Sequence, residues 1–466
     1  MPRKASIQIR RDTRDNWLAE SAVLKNGELG YETDTGVLKI GDGTSGWNTI
    51  VRFANQNDIT MLNERIDDVL TVSSNNIYGV KIDTTNQNPE TSVTYTDDAA
   101  GFVPMRGNNG NFDWGSWELP FKSLGIRPCV FKDGAVNYYL DPNDYTKKID
   151  GSNADITSGL DGDVMVEIPK MFWKFSENET DRIIQMSRVE REGFVCLAHT
   201  RGVNVEDNIY IGAYPGAVIG GKLRSLSGKT PTGNKTHAAF RTDAQANGEG
   251  YEQFLFYQMQ LLQILYVIFF KSLNGQTALG RGNVDASVLK NTGARNTSGM
   301  FYGSTDGTEQ IKFCGIEDFW GNIRNWVDGI WSTANTDPAR KLWIATDEFN
   351  TVPYQQDGET WIDADPKPDN YIEYGTGFAS NVDGYIKDIH GANETGFVTV
   401  NNGGSETTYY CDYATLRAGC LGSFGGNWTY AGYAGPFDLH LGTSPVYSIS
   451  DVGGRLTHIV DMKGGG

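Results

Sequence analysis

The segment that most restricts the possible fold is Tyr251–Leu273, YEQFLFYQMQLLQILYVIFFKSL, the one stretch of the chain with membrane-like character. Glu252, Gln253, Gln258, Gln260 and Gln263 interrupt it, and its unbroken apolar core, Ile264–Phe270, is only seven residues long. A bilayer requires ~20 apolar residues, so membrane insertion is not expected. At helical spacing, Phe254, Tyr257, Leu261, Ile264 or Leu265, and Ile268 form a broad apolar stripe, and Asn274-Gly275 supplies a helix stop. The pattern predicts a helix buried against a sheet.

Around that helix the chain reads as β structure. Glycine fills 56 of 466 positions and aromatic residues make up 12%, a combination suited to short strands, tight turns and aromatic loops. At ~100–200 residues per domain the length predicts about two to four units. Lys+Arg total 40 against 58 Asp+Glu, a net charge of −18, so a phosphate backbone or anionic membrane would meet repulsion and nucleic acid is not an expected partner. The N-terminal MPRKASIQIRRDTRDNW lacks a following apolar run, so the product is expected to fold and assemble in the cytoplasm of the cell that makes it.

Residues 1–55 read as short strands, Ser6–Arg10, Gly27–Tyr31 and Val37–Ile40, with GDGTSG (Gly41–Gly46) as a hairpin rather than a phosphate loop. In residues 56–72, Ile59, Leu62, Ile66 and Val69 make an a/d seam about two heptads long, a coiled-coil linker too short to hold chains together alone. Residues 73–160 are polar and turn-rich and read as an intermediate β domain, with Asp133-Gly134 turning into a strand at Val136–Asp141. Residues 161–466 form the remaining, largest unit.

Catalytic chemistry finds little support. His199, His237, His390, His440 and His458 are dispersed and lack metal-ligand spacing, and the Asp-rich turns do not follow the calcium-loop pattern. Cys129, Cys196, Cys314, Cys411 and Cys420 form no C-x₂-C pair and read as buried small residues. Asp163 and Glu167 are a conceivable carboxylate pair on one face of a strand, but no feature of the sequence would raise the pKa of an acid there. No catalytic residue, metal or cofactor is assigned.

Two aromatic segments stand out. Phe319–Ile330 (FWGNIRNWVDGI) reads as a tryptophan-anchored core turn. Gly419–Tyr433 (GCLGSFGGNWTYAGY) is too glycine-rich for a stiff element, which leaves Phe424, Asn427, Trp428, Tyr430 and Tyr433 on permissive backbone. Tyr and Trp among Ser, Gly and Asn combine large rigid contact area with adaptable hydrogen bonding, the composition of binding loops. A glycine-rich core crossing is the alternative.

Over Ile7–Ile50, IQIRRDTRDNW…LKNGELGYETDTGVLKIGDGTSGWNTI resembles the N-terminal domain of phage tail fibre and major tropism determinant-like proteins. Gly30, Tyr31, Thr33, Asp34, Gly36, Leu38, Ile40, Gly41, Asp42, Gly43 and Trp47 carry the signature and read as structural. The resemblance implies a small trimerising β domain that connects the protein to other virion tail or baseplate proteins. From GDVMVEIPKMFWKF (Gly162–Phe175) through LRSLSGKTPTGNKT, FWGNIRNWVDGI and the closing GGRL (Gly453–Leu456), the chain is similar to C-type lectin-like domains of phage receptor-binding proteins, which share a fold with formylglycine-generating enzymes. That similarity implies ligand-binding side chains between Gly425 and Gly454. Cys411 and Cys420 do not reproduce the reactive cysteine pair of the enzyme branch, and the Glu-Pro-Asn and Trp-Asn-Asp triplets of calcium-dependent lectins are absent from the sequence.

The combined expectation is a mainly β protein with an α+β C-terminal domain: a small N-terminal β domain, a short helical stalk, an intermediate β domain and a C-type lectin-like head. It would be a homotrimer in the phage tail, binding a host-cell surface glycan or protein through Asn427, Trp428, Tyr430, Tyr433 and Tyr447. A polysaccharide depolymerase and a non-binding structural fibre or baseplate component are the alternatives.

Overall fold

A computed structural model of the chain describes residues 9–50, 75–334, 341–347, 349, 351–375 and 381–459. The chain divides into two compact units, Met1–Ser73 and Ser74–Gly466. The predicted linker seam, Ile59 to Val69, lies outside the described residues.

In the first unit, strands Arg10–Asp12, Leu29–Glu32 and Leu38–Ile40 form one sheet, the first pair parallel and the second antiparallel. Residues 6–8 of the predicted strand Ser6–Arg10 lie outside the described residues. A helix at Arg14–Glu20 corrects the all-strand expectation. Thr13 caps it by accepting from the Asn16 N–H at 3.4 Å, and seven residues are too few for an apolar period to show. The helix delivers Trp17 onto Trp47, rings stacked at 4.1 Å, and the Trp47 indole donates to Glu32 at 2.7 Å. A Cβ at Gly30 would lie 2.4 Å from the Trp47 ring, so that signature glycine is required by packing. Gly41–Gly46 is a loop ordered by Asp42, which accepts from the N–H groups of Thr44 and Ser45, and not a strand hairpin.

The second unit is built on three large sheets, with five two-stranded ones beside them among the described residues. A seven-stranded sheet runs Asp144–Lys148, Ala135–Asp141, Arg127–Lys132, Asp163–Pro169, Asn208–Gly212, Leu456–His458, Tyr251–Gln253. A four-stranded sheet pairs Phe172–Glu177 and Asp181–Ser187 with Ile77–Asp83 and Val93–Asp97. The largest sheet is centred on Arg324–Ser332, Cys420–Phe424 and Leu439–Thr443 and includes Tyr413–Leu416 and Val382–Ile389. Strands from residues 73–160 therefore share sheets and one continuous core with later strands, so position 160 is not a boundary between compact units. The polar, turn-rich composition of 73–160 comes from its loops, while Val80, Ile82, Val130 and Phe131 are fully buried. The Asp133-Gly134 turn is as predicted, both residues at positive φ.

The predicted central helix is present as Phe256–Phe270. All fifteen of its residues are buried, including Gln258, Gln260 and Gln263, so the packed surface is the whole circumference rather than one stripe. Two glutamines are used to cross-link the core: Gln263 donates to the Pro436 carbonyl at 2.9 Å and Gln260 to that of Asn393 at 2.8 Å. The helix stops at Lys271, in the left-handed region at φ 47°, three residues before the predicted stop. Asn274 instead caps the next short helix, accepting from Thr277 at 3.0 Å. No helix among the described residues is long and apolar enough to cross a membrane.

The chain end closes the unit. Arg455, in the GGRL segment, is buried and donates to the carbonyls of Gly212 (2.8 Å), Glu317 and Asp318 (both 2.9 Å), tying three separate segments together. Phe319–Ile330 is core as expected: Trp320 and Trp326 are fully buried, and Asn322, at φ 61°, binds Asp318, Asn283 and Lys290.

Candidate binding site

The central strand Cys420–Phe424 ends in two glycines at positive φ, Gly425 and Gly426, which turn the chain into the predicted binding loop. A Cβ on Gly426 would sit 2.6 Å from that of Ala434 and 2.9 Å from the Tyr430 ring, so the loop folds tightly on itself. It is also clamped from outside: Gln276 donates to the carbonyls of Ala431 (2.7 Å) and Ala434 (2.8 Å), the Trp428 N–H to Asn322 (3.1 Å), and Ala431 to Val284 (3.2 Å). Permissive backbone here produces a fixed loop.

Asn427 is buried and not displayed, which corrects its assignment as a contact residue. Its amide donates to Asp451 at 2.6 Å and its carbonyl accepts from the Thr429 N–H and hydroxyl, both at 2.9 Å. A buried amide with its polar groups matched to local partners is a brace for the turn. Trp428 and Tyr430 are half-buried, while Tyr433 is 42% exposed and Tyr447 39%.

Tyr430 and Tyr433 meet at 5.5 Å between ring centres, and two tyrosines outside the predicted loop complete the group. Tyr413 lies 4.7 Å and Tyr385 5.3 Å from Tyr433, and these two rings are 5.6 Å apart. Tyr385 and Tyr413 face each other in register on paired strands Val382–Ile389 and Tyr413–Leu416. Trp428 and Tyr447 stack on no other ring among the described residues. The cluster combines a rigid frame, edge-on ring contacts and several phenol hydroxyls, which suits contact with an amphipathic surface.

Beneath it the electrostatics are set by burial. The Arg324 guanidinium lies 4.2 Å from the Tyr430 ring centre and 3.9 Å from Asp438. Burial pushes Asp438 up to about 7, partly offset by Arg324, and pushes Tyr430 up to about 12. His440 is held down at about 3 by burial first and then by Arg324 and Arg417, so it is neutral at physiological pH. At the edge, Arg417 pairs with Asp383, which also accepts from the Thr415 hydroxyl at 3.1 Å.

The other candidates lie elsewhere. Asp163 binds Arg224 at 2.9 Å and Glu167 binds Arg127 at 2.9 Å, each carboxylate held by its own arginine. The five cysteines are buried, and among the described residues no three His, Cys, Asp or Glu side chains cluster to hold a metal.

Residues 7–45 match the family model described as the major tropism determinant N-terminal domain. Solved structures of major tropism determinant variants align along nearly the whole chain. The U1 variant covers 97% of this chain and 99% of its own at 10% identity with a TM-score of 0.23. The I1 variant covers 97% and 99% at 11% identity with a TM-score of 0.25. A group A streptococcal phage-encoded tail-fibre showing hyaluronan lyase activity aligns over 11% of this chain and 16% of its own, at 27% identity and a TM-score of 0.11. These superpositions are too loose to transfer site geometry. A comparison with curated proteins finds no match.

Proposed function

We propose that the chain is a phage tail receptor-binding protein, attached to the virion through its N-terminal module and binding a host-cell surface receptor through a C-type lectin-like head. The observation that carries this reading is the ring cluster Tyr385, Tyr413, Tyr430 and Tyr433, held at the surface by a clamped loop and two strands. Trp428 and Tyr447 are proposed as flanking contacts. In a homotrimeric fibre three such heads would multiply weak single contacts through effective concentration. The function is binding without chemistry: Glu167 and Asp163, the conceivable carboxylate pair, are each neutralised by an arginine.

The test is adsorption of purified full-length protein to host cells, with Tyr385→Ala/Tyr433→Ala and Trp428→Ala/Tyr430→Ala double variants. Adsorption should fall at least about tenfold for a loss of roughly 1.4 kcal/mol or more. Wild-type adsorption by folded variants would refute the site, and normal adsorption after both periodate and protease treatment of the cells would refute a glycan or protein receptor.

A further inference from the structure

Two adjoining cavities lie away from the tyrosine cluster and share none of its residues. Their walls have Lys122, Gly125, Arg127 and Tyr139 in common, so the two adjoin across these residues as a two-part groove. The first, about 790 Å³, is lined by aromatic side chains: Phe112 stacks on Phe301 at 4.8 Å and Trp114 stands edge-on to both, at 5.2 and 5.3 Å. Ile149, 74% exposed, lies in the same wall. The second, about 730 Å³, is lined by polar groups including Arg188. Each volume falls in the ~300–1,000 Å³ range of small-ligand sites.

The charges in the groove are unequal. Arg127 stacks over Tyr139 at 3.8 Å and neutralises Glu167, while Lys122 neutralises Glu118 at 2.7 Å. Arg188 differs: its Nη1 donates to the Leu124 carbonyl, its Nε is buried without a partner, and among the described residues no carboxylate pairs with it. A guanidinium taken partly out of water with no counter-charge is costly unless an anion completes it. In a chain of net charge −18 carboxylates are abundant, and two of them, Glu118 and Glu167, line this groove, yet neither pairs with Arg188.

We propose that this groove is a second binding site, for an acidic oligosaccharide. A sugar carboxylate would pair with the Arg188 guanidinium, and the apolar C–H face of another pyranose of the same oligosaccharide would lie against the Phe112 and Trp114 rings. The alternation of aromatic and polar wall fits a ligand whose rings are apolar on their faces and hydroxylated at their rims.

The probe is trigalacturonate, titrated calorimetrically into the full-length protein, with its neutral methyl ester and inorganic phosphate as controls. Saturable binding is expected for the acid, weakened about tenfold or more by esterification and by Arg188→Gln, since a charge-assisted hydrogen bond is removed in each case. Trp114→Ala should weaken acid and ester alike, and Tyr385→Ala/Tyr433→Ala should change neither. Equal affinity for acid and ester, no saturable binding, or phosphate binding with no saccharide binding would each overturn the proposal. If Arg188→Gln melts early, the acid-to-ester ratio on the wild-type protein and the Trp114→Ala titration still decide it.

Discussion

The segments Phe319–Ile330 and Gly419–Tyr433 are written in nearly the same alphabet and have opposite fates. Both contain a Gly-Asn step, Gly321-Asn322 and Gly426-Asn427, and in both the asparagine is buried with its amide bonded to neighbouring loops. The rings diverge. Trp320 and Trp326 are sealed in the core, whereas Trp428, Tyr430 and Tyr433 keep part of their surface in solvent. The lesson is that the polar residue in each motif braces the turn, and the strand that follows or precedes it decides where the rings go. Asn322 leads into Arg324–Ser332, buried along its whole length in the largest sheet, while Gly426 follows the end of Cys420–Phe424, where the chain leaves that sheet.

The sharpest way to break this contrast is truncation of the rings. Trp326→Ala should cost about 3–5 kcal/mol in denaturant unfolding, as expected for a large buried side chain leaving a cavity. Trp428→Ala should cost clearly less, and equal losses would erase the distinction. Next in size, Gly426→Ala should lose about 1–3 kcal/mol, because φ of 70° is unfavourable for alanine and the added methyl meets Ala434 and Tyr430.

A smaller effect depends on pH. Asp438 is raised to about 7 in the folded protein against an ordinary 3.8, so its contribution to stability is full below 3.8 and is lost as pH rises through 7. The difference in unfolding free energy between wild type and Asp438→Asn should therefore fall steadily across that interval. A flat difference would show that the carboxyl is not protonated beneath the tyrosine cluster. The smallest stability change belongs to Tyr433→Ala, within about 0.5–1 kcal/mol because the ring is already 42% exposed, while adsorption drops. A large stability loss there would make Tyr433 a core residue and move it into the class of Trp326.

Much of the frame was legible in the sequence. The N-terminal module was legible by resemblance through its signature glycines and Trp47, the Asp133-Gly134 turn through a dipeptide that favours hairpins, and the central helix through its apolar run. The helix stop was misplaced because Lys271 adopts the left-handed conformation that glycine usually signals. The site was legible in half. Loop composition pointed to Tyr430 and Tyr433, but Tyr385 and Tyr413 sit on strands outside the loop, where a lone tyrosine resembles any half-buried strand residue. Asn427 was misread because composition cannot tell an amide that contacts a partner from one that braces its own loop.

The amino-acid order alone determined the local elements, the burial of the long helix, the acidic balance and the opening module, since each depends on short-range pattern or on sums over residues. Tertiary structure decided the rest: that residues 77–148 join the later strands in one core, that Arg455 locks three distant segments, and that four tyrosines from one loop and two strands share one surface. Those outcomes depend on which strands become neighbours, and sheet pairing is a long-range choice that no local pattern encodes.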